Sequence, residues 1–302
     1  MNFAAIIAEY NPFHNGHAYL VEQLRAAGAT HIAAVMSGHM VQRADVASFS
    51  KWTRAAAAVS CGVDLVIELP VLYACAPAER FAFGAAATLN GLGIPGMLGF
   101  GSECGDLKAL EGCAEALGDV DGSPELAAYL DRGFAFPSAR ARAIADRSGE
   151  EAARILKEPN NILGVEYLKA LKKTGSALTP FTVAREGAGH DSREVSGNFA
   201  SASRLREFFQ AGALRETAPY LPEKAYRLFR RDYALGLAGA SFYNLTPAVL
   251  YRLQAMEPAE MENLPDMGEG LHNRLQKAAK QASTLDELLA KAKSKRYPMS
   301  RM

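Results

Sequence analysis

Short apolar runs alternate with longer segments of helical spacing along the first hundred residues. Phe3-Ala4-Ala5-Ile6-Ile7-Ala8 is an unbroken apolar run, the pattern of a parallel strand covered on both faces. Residues 18–25 carry apolar side chains at helical spacing. Residues 31–36, 64–69 (closed by Pro70) and 97–100 predict three further strands. The Ala-rich stretch 51–59 and the helix-prone stretch 79–92 predict helices between them. Strand alternating with helix implies an α/β fold with a Rossmann-like parallel sheet and right-handed crossovers. From 107 to about 173 the pattern is mostly helical, interrupted by a turn at Glu158-Pro159-Asn160-Asn161 ahead of a helix over 162–173. Residues 178–183 predict a returning strand with Arg185 just past its end, and Ser201 predicts the N-cap of the next helix. Beyond Pro219 the chain reads as helical and polar. With no linker to mark a boundary, it is expected near residue 210, giving a nucleotide-binding domain over 1–210 and a helical region over 211–302.

Composition narrows the partners. The 302 residues hold 33 Lys and Arg against 33 Asp and Glu, so no global field draws the chain to nucleic acid or membrane, and any basic surface must be local. Such segregation occurs near the C-terminus, where Lys277, Lys280, Lys291, Lys293, Lys295, Arg296 and Arg301 outnumber Asp286 and Glu287. A charge run is usually a solvated helix face, yet cations gathered at one end of a neutral chain are also what phosphate-backbone binding requires. Cys61, Cys75, Cys104 and Cys113 form no CxxC pair, which disfavours a zinc ribbon or redox motif. No apolar stretch approaches the ~20 residues that span a bilayer, and the N-terminus enters a strand directly. A cytoplasmic protein with reduced thiols is expected.

Ligands of open parallel sheets bind beyond the carboxyl ends of the strands. Here those ends carry residues 9–17, Ser37-Gly38, Glu68 and Gly101-Ser102-Glu103. The first contains His14-Asn15-Gly16-His17 at a strand-to-helix turn. A helix N-terminus offers unpaired N–H groups to an anion, and histidines there can donate to phosphate oxygens as pyrophosphate leaves. The bland alternative is that His14 caps the helix and His17 packs on its first turn. Ser201-Ala202-Ser203-Arg204-Leu205-Arg206 is a second phosphate candidate, or an ordinary cap with solvated arginines. Ser50-Lys51-Trp52-Thr53-Arg54 combines basic and aromatic residues beside the expected cleft, suited to a nucleic-acid base, although Trp52 could equally anchor the core. Cys104 has no evident base partner, and His31 and His272 read as structural or exposed.

Several longer motifs are similar to those of the bacterial tRNA(Met) cytidine acetate ligases. They are EYNPFHNGH at 9–17, MSGHMVQR at 36–43, SKWTRA at 50–55, GVDLVIELP at 62–70, FGSECGD at 100–106, EPNNILGVEYL at 158–168, His190-Asp191, ASASRLR at 200–206 and the closing EGLHNRL…KSKRY. The resemblance implies a sheet of the HxGH nucleotidyltransferase type with added helices that engage elongator tRNA(Met). It implies that ATP and acetate give acetyl-adenylate, and that the acetyl group passes to the wobble cytidine as N4-acetylcytidine. His14 and His17 would be catalytic. The ATP site would comprise Ile7, Ala8, Glu9, Tyr10, Asn11, Pro12, Phe13, His14, Asn15, Gly16, His17, Ala18, Tyr19, Leu20, Gly101, Asn160, Asn161, Arg185, Ser201, Ser203 and Arg206. Magnesium would accompany the triphosphate, and acetate would sit where Ala8 and Gly101 leave space. Transfer RNA would meet Arg43, Lys51, Lys295 and Arg296. The family continues through further C-terminal helices, so a shortened tRNA-contacting region is expected. The competing class is a small-molecule adenylyltransferase with the same HxGH turn, which would leave the long helical remainder without a role.

Overall fold

Phe3–Ala8 forms β1, with every side chain from Phe3 to Ile7 buried, because a central strand covered on both faces has no polar side. The computed structural model describes residues 2–42, 45–134, 136–185, 198–264, 267–268 and 270–294. After β1 come α1 (Asn15–Ala26), β2 (His31–Ser37), a small hairpin of β3 (Met40–Val41) and β4 (Asp45–Val46), α2 (Lys51–Ser60) and β5 (Leu65–Leu69). Then follow α3 (Val71–Ala74), α4 (Ala78–Asn90), β6 (Gly96–Ser102), α5 (Leu107–Val120), α6 (Pro124–Asp131), α7 (Phe136–Ser148), α8 (Glu150–Ile155), α9 (Pro159–Lys173) and β7 (Leu178–Ala184). Two helices, α10 (Ala202–Gln210) and α11 (Glu223–Ala234), complete the first of two compact units, Met1–Ala240.

The main sheet has the order β5-β2-β1-β6-β7 and is parallel throughout. Its two faces bury different side chains of the same strands. Phe3, Ala5, Ile7, Ala33, Val35, Leu98 and Phe100 pack under α4, α5, α7 and α9. Ala4, Ile6, Ile32, Ala34 and Met36 pack under α1, α2, α10 and α11. Two glycines set the approach of the helices. A Cβ on Gly99 would lie 2.7 Å from Leu24 of α1, and one on Gly164 of α9 would lie 2.8 Å from the Phe100 ring. Pro180 sits in β7, an edge strand, where its missing N–H costs no central ladder bond.

Pairing along the sheet ends unevenly. β1 and β6 are paired only from Phe3↔Gly96 to Ile6↔Gly99. β1 stays paired with β2 as far as Ala8↔Met36, and β6 with β7 as far as Ser102↔Ala184. The carboxyl ends of β1 and β6 therefore part where the strand order reverses, and the same register continued would set Ala8 opposite Gly101. That is the crevice in which doubly wound sheets hold ligands.

Two sequence expectations shift. The Asn160-Asn161 pair belongs to the first turn of α9 and not to a turn before it, because Pro159 occupies the first helical position, where its missing N–H is harmless. The first unit also runs well past residue 210. Leu205, Phe209, Leu221, Ala225 and Phe229 share one cluster with Phe49, Ala57 and Ala58, so α10 and α11 are part of the sheet's outer layer. The second unit, Ser241–Met302, contains α12 (Thr246–Ala255), α13 (Pro258–Glu262), α14 (Leu271–Ala279) and α15 (Leu285–Ala292) around a separate core that includes Leu250, Met261, Leu275 and Leu288. Among the described residues no helix is long and apolar enough to cross a membrane.

Candidate active site

The turn after β1 is built around its aromatic rings. Tyr10 is buried and takes a left-handed backbone, φ 49°, a costly state for an aromatic residue. Its ring meets Phe13 at 4.9 Å and the edge of His17 at 4.9 Å. His14 then caps α1 from an extended backbone. Its Nδ1 accepts the Gly16 N–H at 3.1 Å, while His17 Nδ1 accepts the His14 N–H at 3.2 Å. This is a reciprocal capping box with imidazoles standing where a hydroxyl and a carboxamide usually stand. Gly16 leaves room for this cap, because a Cβ there would lie 3.0 Å from the His14 ring, which would have to give way.

The capping fixes the tautomers. An Nδ1 that accepts leaves the ring hydrogen of a neutral imidazole on Nε2, so both rings present Nε2–H as donors. The rings are stacked with centroids 3.8 Å apart. Burial first, then the neighbouring charges of His14 and Arg185, holds the His17 pKa well below the usual histidine value. At neutral pH His17 is therefore an uncharged donor at a helix N-terminus.

The serine–arginine helix is tied to this turn. Arg206 donates through Nη1 to the Asn11 carbonyl at 3.1 Å and through Nη2 to Ser203 Oγ at 3.1 Å. Asn15 donates to the carbonyls of Asn198 and Pro219. Ser201 is buried and caps α10 by accepting the Arg204 N–H, and Arg204 pairs with Glu207 at 2.7 Å. Ser203 and Arg206 thus lie beside the His14 turn, whereas Arg204 does not join them.

Across the crevice, Arg185 donates its backbone N–H to the Ser102 carbonyl and its Nη1 to Asn160 Oδ1 at 3.3 Å. Its aliphatic chain lies over Gly101, which has no side chain to obstruct it. Glu103 organises this side. Its carboxylate accepts the backbone N–H of Asn160 at 3.3 Å and of Asn161 at 2.8 Å, and the Asn160 amide at 2.5 Å. Asn161 is buried and spends both ends of its side chain on the Cys104 N–H and the Ile155 carbonyl. Of the two asparagines, Asn160 is the one in contact with Arg185.

Two residues of the Ser50–Arg54 group resolve in opposite directions. Arg54, grouped with the base-binding candidates, is fully buried, and donates to the carbonyls of Glu9, Ser37, Gly38 and Phe49. It therefore ties α2 to the ends of β1 and β2, with burial lowering its pKa to about 10. Trp52, which could have been a core anchor, is 73% exposed. Glu103, read only as one of the polar residues ending a strand, was not placed in the ATP site, since its partners lie 57 and 58 residues away and no spacing announces them. Lys51 pairs with Glu68 at 2.5 Å. Arg43, Lys295, Arg296 and the His190-Asp191 pair lie outside the described residues.

Comparison with known proteins fits these elements. The HIGH nucleotidyl transferase family matches residues 1–302. The tRNA(Met) cytidine acetate ligase of Alkaliphilus metalliredigens is 42% identical over 322 residues, covering 100% of this chain and 75% of its own. The chain belongs to this family of acetate ligases. Its namesake from Caldanaerobacter subterraneus is 40% identical, with 100% of this chain and 76% of the relative covered. Among solved structures, apo TmcAL of Thermotoga maritima is similar with a TM-score of 0.91 at 33% identity, covering 100% of this chain and 73% of that one. The same Thermotoga protein bound with alpha-thio ATP gives a TM-score of 0.89 at 32% identity, covering 100% and 72%. The family's fold, an α/β sheet with a helical C-terminal region, is the one described above.

Proposed function

We propose that this protein is an ATP-dependent tRNA(Met) cytidine acetate ligase of the cytoplasm. The observation that carries the reading is the end-to-end likeness, fold and sequence together, to a family member bound with alpha-thio ATP. In the first half-reaction an acetate oxygen attacks the α-phosphorus of ATP. The bond to the bridging oxygen of the β-phosphate breaks, giving acetyl-adenylate and pyrophosphate. In the second, the exocyclic N4 of the wobble cytidine of elongator tRNA(Met) attacks the acetyl carbonyl. The bond to AMP breaks, a proton leaves N4, and N4-acetylcytidine and AMP remain.

The residues divide this work by position. His14 and His17 offer Nε2–H donors to the phosphate oxygens that gain charge as pyrophosphate departs, at the positive end of the α1 dipole. Arg185 closes the opposite side of the crevice, and Ser203 and Arg206 hold the triphosphate from α10. Ala8 and Gly101, small and facing, leave room for acetate in line with the α-phosphate. Among the described residues no three His, Cys, Asp or Glu side chains cluster as a metal site. Magnesium bound to the triphosphate would offset its negative charge. Lys51 and, in the second unit, the C-terminal cations meet tRNA phosphates.

The test is an assay with ATP, labelled acetate and pyrophosphate, with and without unmodified tRNA(Met). Acetate-dependent ATP–pyrophosphate exchange and acetylation of the tRNA are expected. Exchange that needs a phosphorylated small molecule in place of acetate would overturn the reading in favour of a small-molecule adenylyltransferase. In the same assay His17→Ala, confirmed as folded, is expected to lower exchange at least 100-fold, the usual loss for one donor to developing charge.

A further inference from the structure

The chain has one tryptophan, and it is not in the core. Trp52 stands in the first turn of α2 with 73% of its surface exposed. Burying an indole is worth far more than leaving it in water, so an ordered, exposed one calls for an explanation. Its mounting is rigid. Ser50 caps the helix beneath it, Thr53 bonds Asp232 of α11, and Arg54 is fixed to the carbonyls of Glu9, Ser37 and Gly38. Glu9 is the first residue after β1, so the indole is anchored to the turn that carries the histidines.

Its surroundings are cationic on one side and open on the other. Lys51 Nζ lies 5.2 Å from the ring centroid and also bonds Glu68 at the end of β5. The first turn of α2 itself holds no acidic residue, and the carboxylate that meets its positive end is Glu68, through Lys51. The whole group lies at the carboxyl edge of the sheet, with β5 two strand spacings, about 10 Å, from β1. A flat π face beside a cation at a helix start is complementary to an unpaired nucleobase and its phosphate.

Resting on the functional reading above, we infer that Trp52 is a stacking platform for an unpaired base of the tRNA anticodon loop next to the cytidine being acetylated. The base stacks on the open indole face while Lys51 faces its phosphate. Holding that neighbour splays the loop so that the target cytidine can reach the crevice between β1 and β6. The rival occupant is a second copy of this chain, since Val59 of the same helix and Leu72 of α3 are also exposed.

The single tryptophan makes the test direct. Full-length protein titrated with unmodified tRNA(Met) should show saturable quenching of its tryptophan fluorescence. Trp52→Ala should raise the KM for tRNA about ten-fold or more. Trp52→Phe should recover most of that loss, and both variants should keep wild-type acetate-dependent ATP–pyrophosphate exchange. Fluorescence indifferent to tRNA, or an unchanged KM in Trp52→Ala with exchange intact, overturns the platform. So does fluorescence that follows protein concentration in step with sedimentation when no RNA is present, which would assign the indole to an interface between copies. Saturable quenching by tRNA in a protein lacking acetate-dependent exchange would keep the platform and overturn the functional reading instead.

Discussion

His17 is a donor whose protonation is set by its position. The folded protein holds its pKa well below that of a free histidine, about 6.5, through burial and the charges of His14 and Arg185. Above that pH both folded and unfolded chains carry the ring neutral, and it adds nothing to the pH dependence of stability. As pH falls below ~6.5 the unfolded chain binds a proton that the folded ring refuses, so stability falls, by up to about 1.4 kcal/mol per pH unit. Urea midpoints measured at several pH values between 7.5 and 5 should therefore fall more steeply for wild type than for His17→Asn. Equal slopes would remove His17 as a buried neutral ring. Glu103 acts through others. Its carboxylate accepts three N–H groups at the start of α9 and positions Asn160 against Arg185. Glu103→Gln keeps the shape but replaces one acceptor oxygen with a donor that faces those N–H groups. Losing such charge-assisted bonds costs about 1.5–3 kcal/mol. In the exchange assay the KM for ATP should rise roughly ten-fold with kcat much less affected, whereas a residue touching the reacting atoms would lower kcat. A change in thermal stability with no change in KM would limit Glu103 to a capping role.

At the scale of elements, the strands were readable because parallel strands buried on both faces are written as unbroken apolar runs, and β1 is found at the residues its run predicts. The HNGH turn was readable because strand, turn and helix are local in the chain. The crevice was not. It arises where β1 and β6, nearly a hundred residues apart, stop pairing after Ile6↔Gly99, and no local pattern records a pairing that ends. Arg54 was misleading for a related reason. A guanidinium reads as surface until the four carbonyls that surround it are known. The same dependence on packing explains the glycines of β6. Gly99 lets Leu24 of α1 lie directly on the strand, which sets how far the histidine turn stands above the sheet. Gly99→Ala would force α1 outward or strain Leu24, and such overpacking costs typically ~1–3 kcal/mol. A lower melting temperature together with a raised KM for ATP is the expected result. A lower melting temperature with an unchanged KM would show that α1 is not held in register by this contact.

At the scale of the whole molecule, the residues proposed for adenylation and the C-terminal lysines proposed to meet tRNA belong to separate cores. Each described residue assigned to adenylation lies in Met1–Ala240, whose two hydrophobic clusters flank the sheet, while Ser241–Met302 has its own cluster. In the second unit Lys277, Lys280, Lys291 and Lys293 are all exposed, which leaves them available to phosphates. Phosphate contacts release counterions, so affinity falls with salt by roughly 0.7–0.9 of a logarithmic unit per contact for each logarithmic unit of salt. Changing these four lysines to glutamine should flatten the salt dependence of tRNA binding by roughly three units if all four make contact. The same change should leave acetate-dependent ATP–pyrophosphate exchange at the wild-type rate, because none of the four belongs to the unit that holds the histidines. Binding measured at several salt concentrations, beside exchange measured in the same buffers, separates the two effects. An unaltered salt slope would move the tRNA surface off this unit and back to the carboxyl edge of the sheet, where Lys51 and Trp52 would have to carry it.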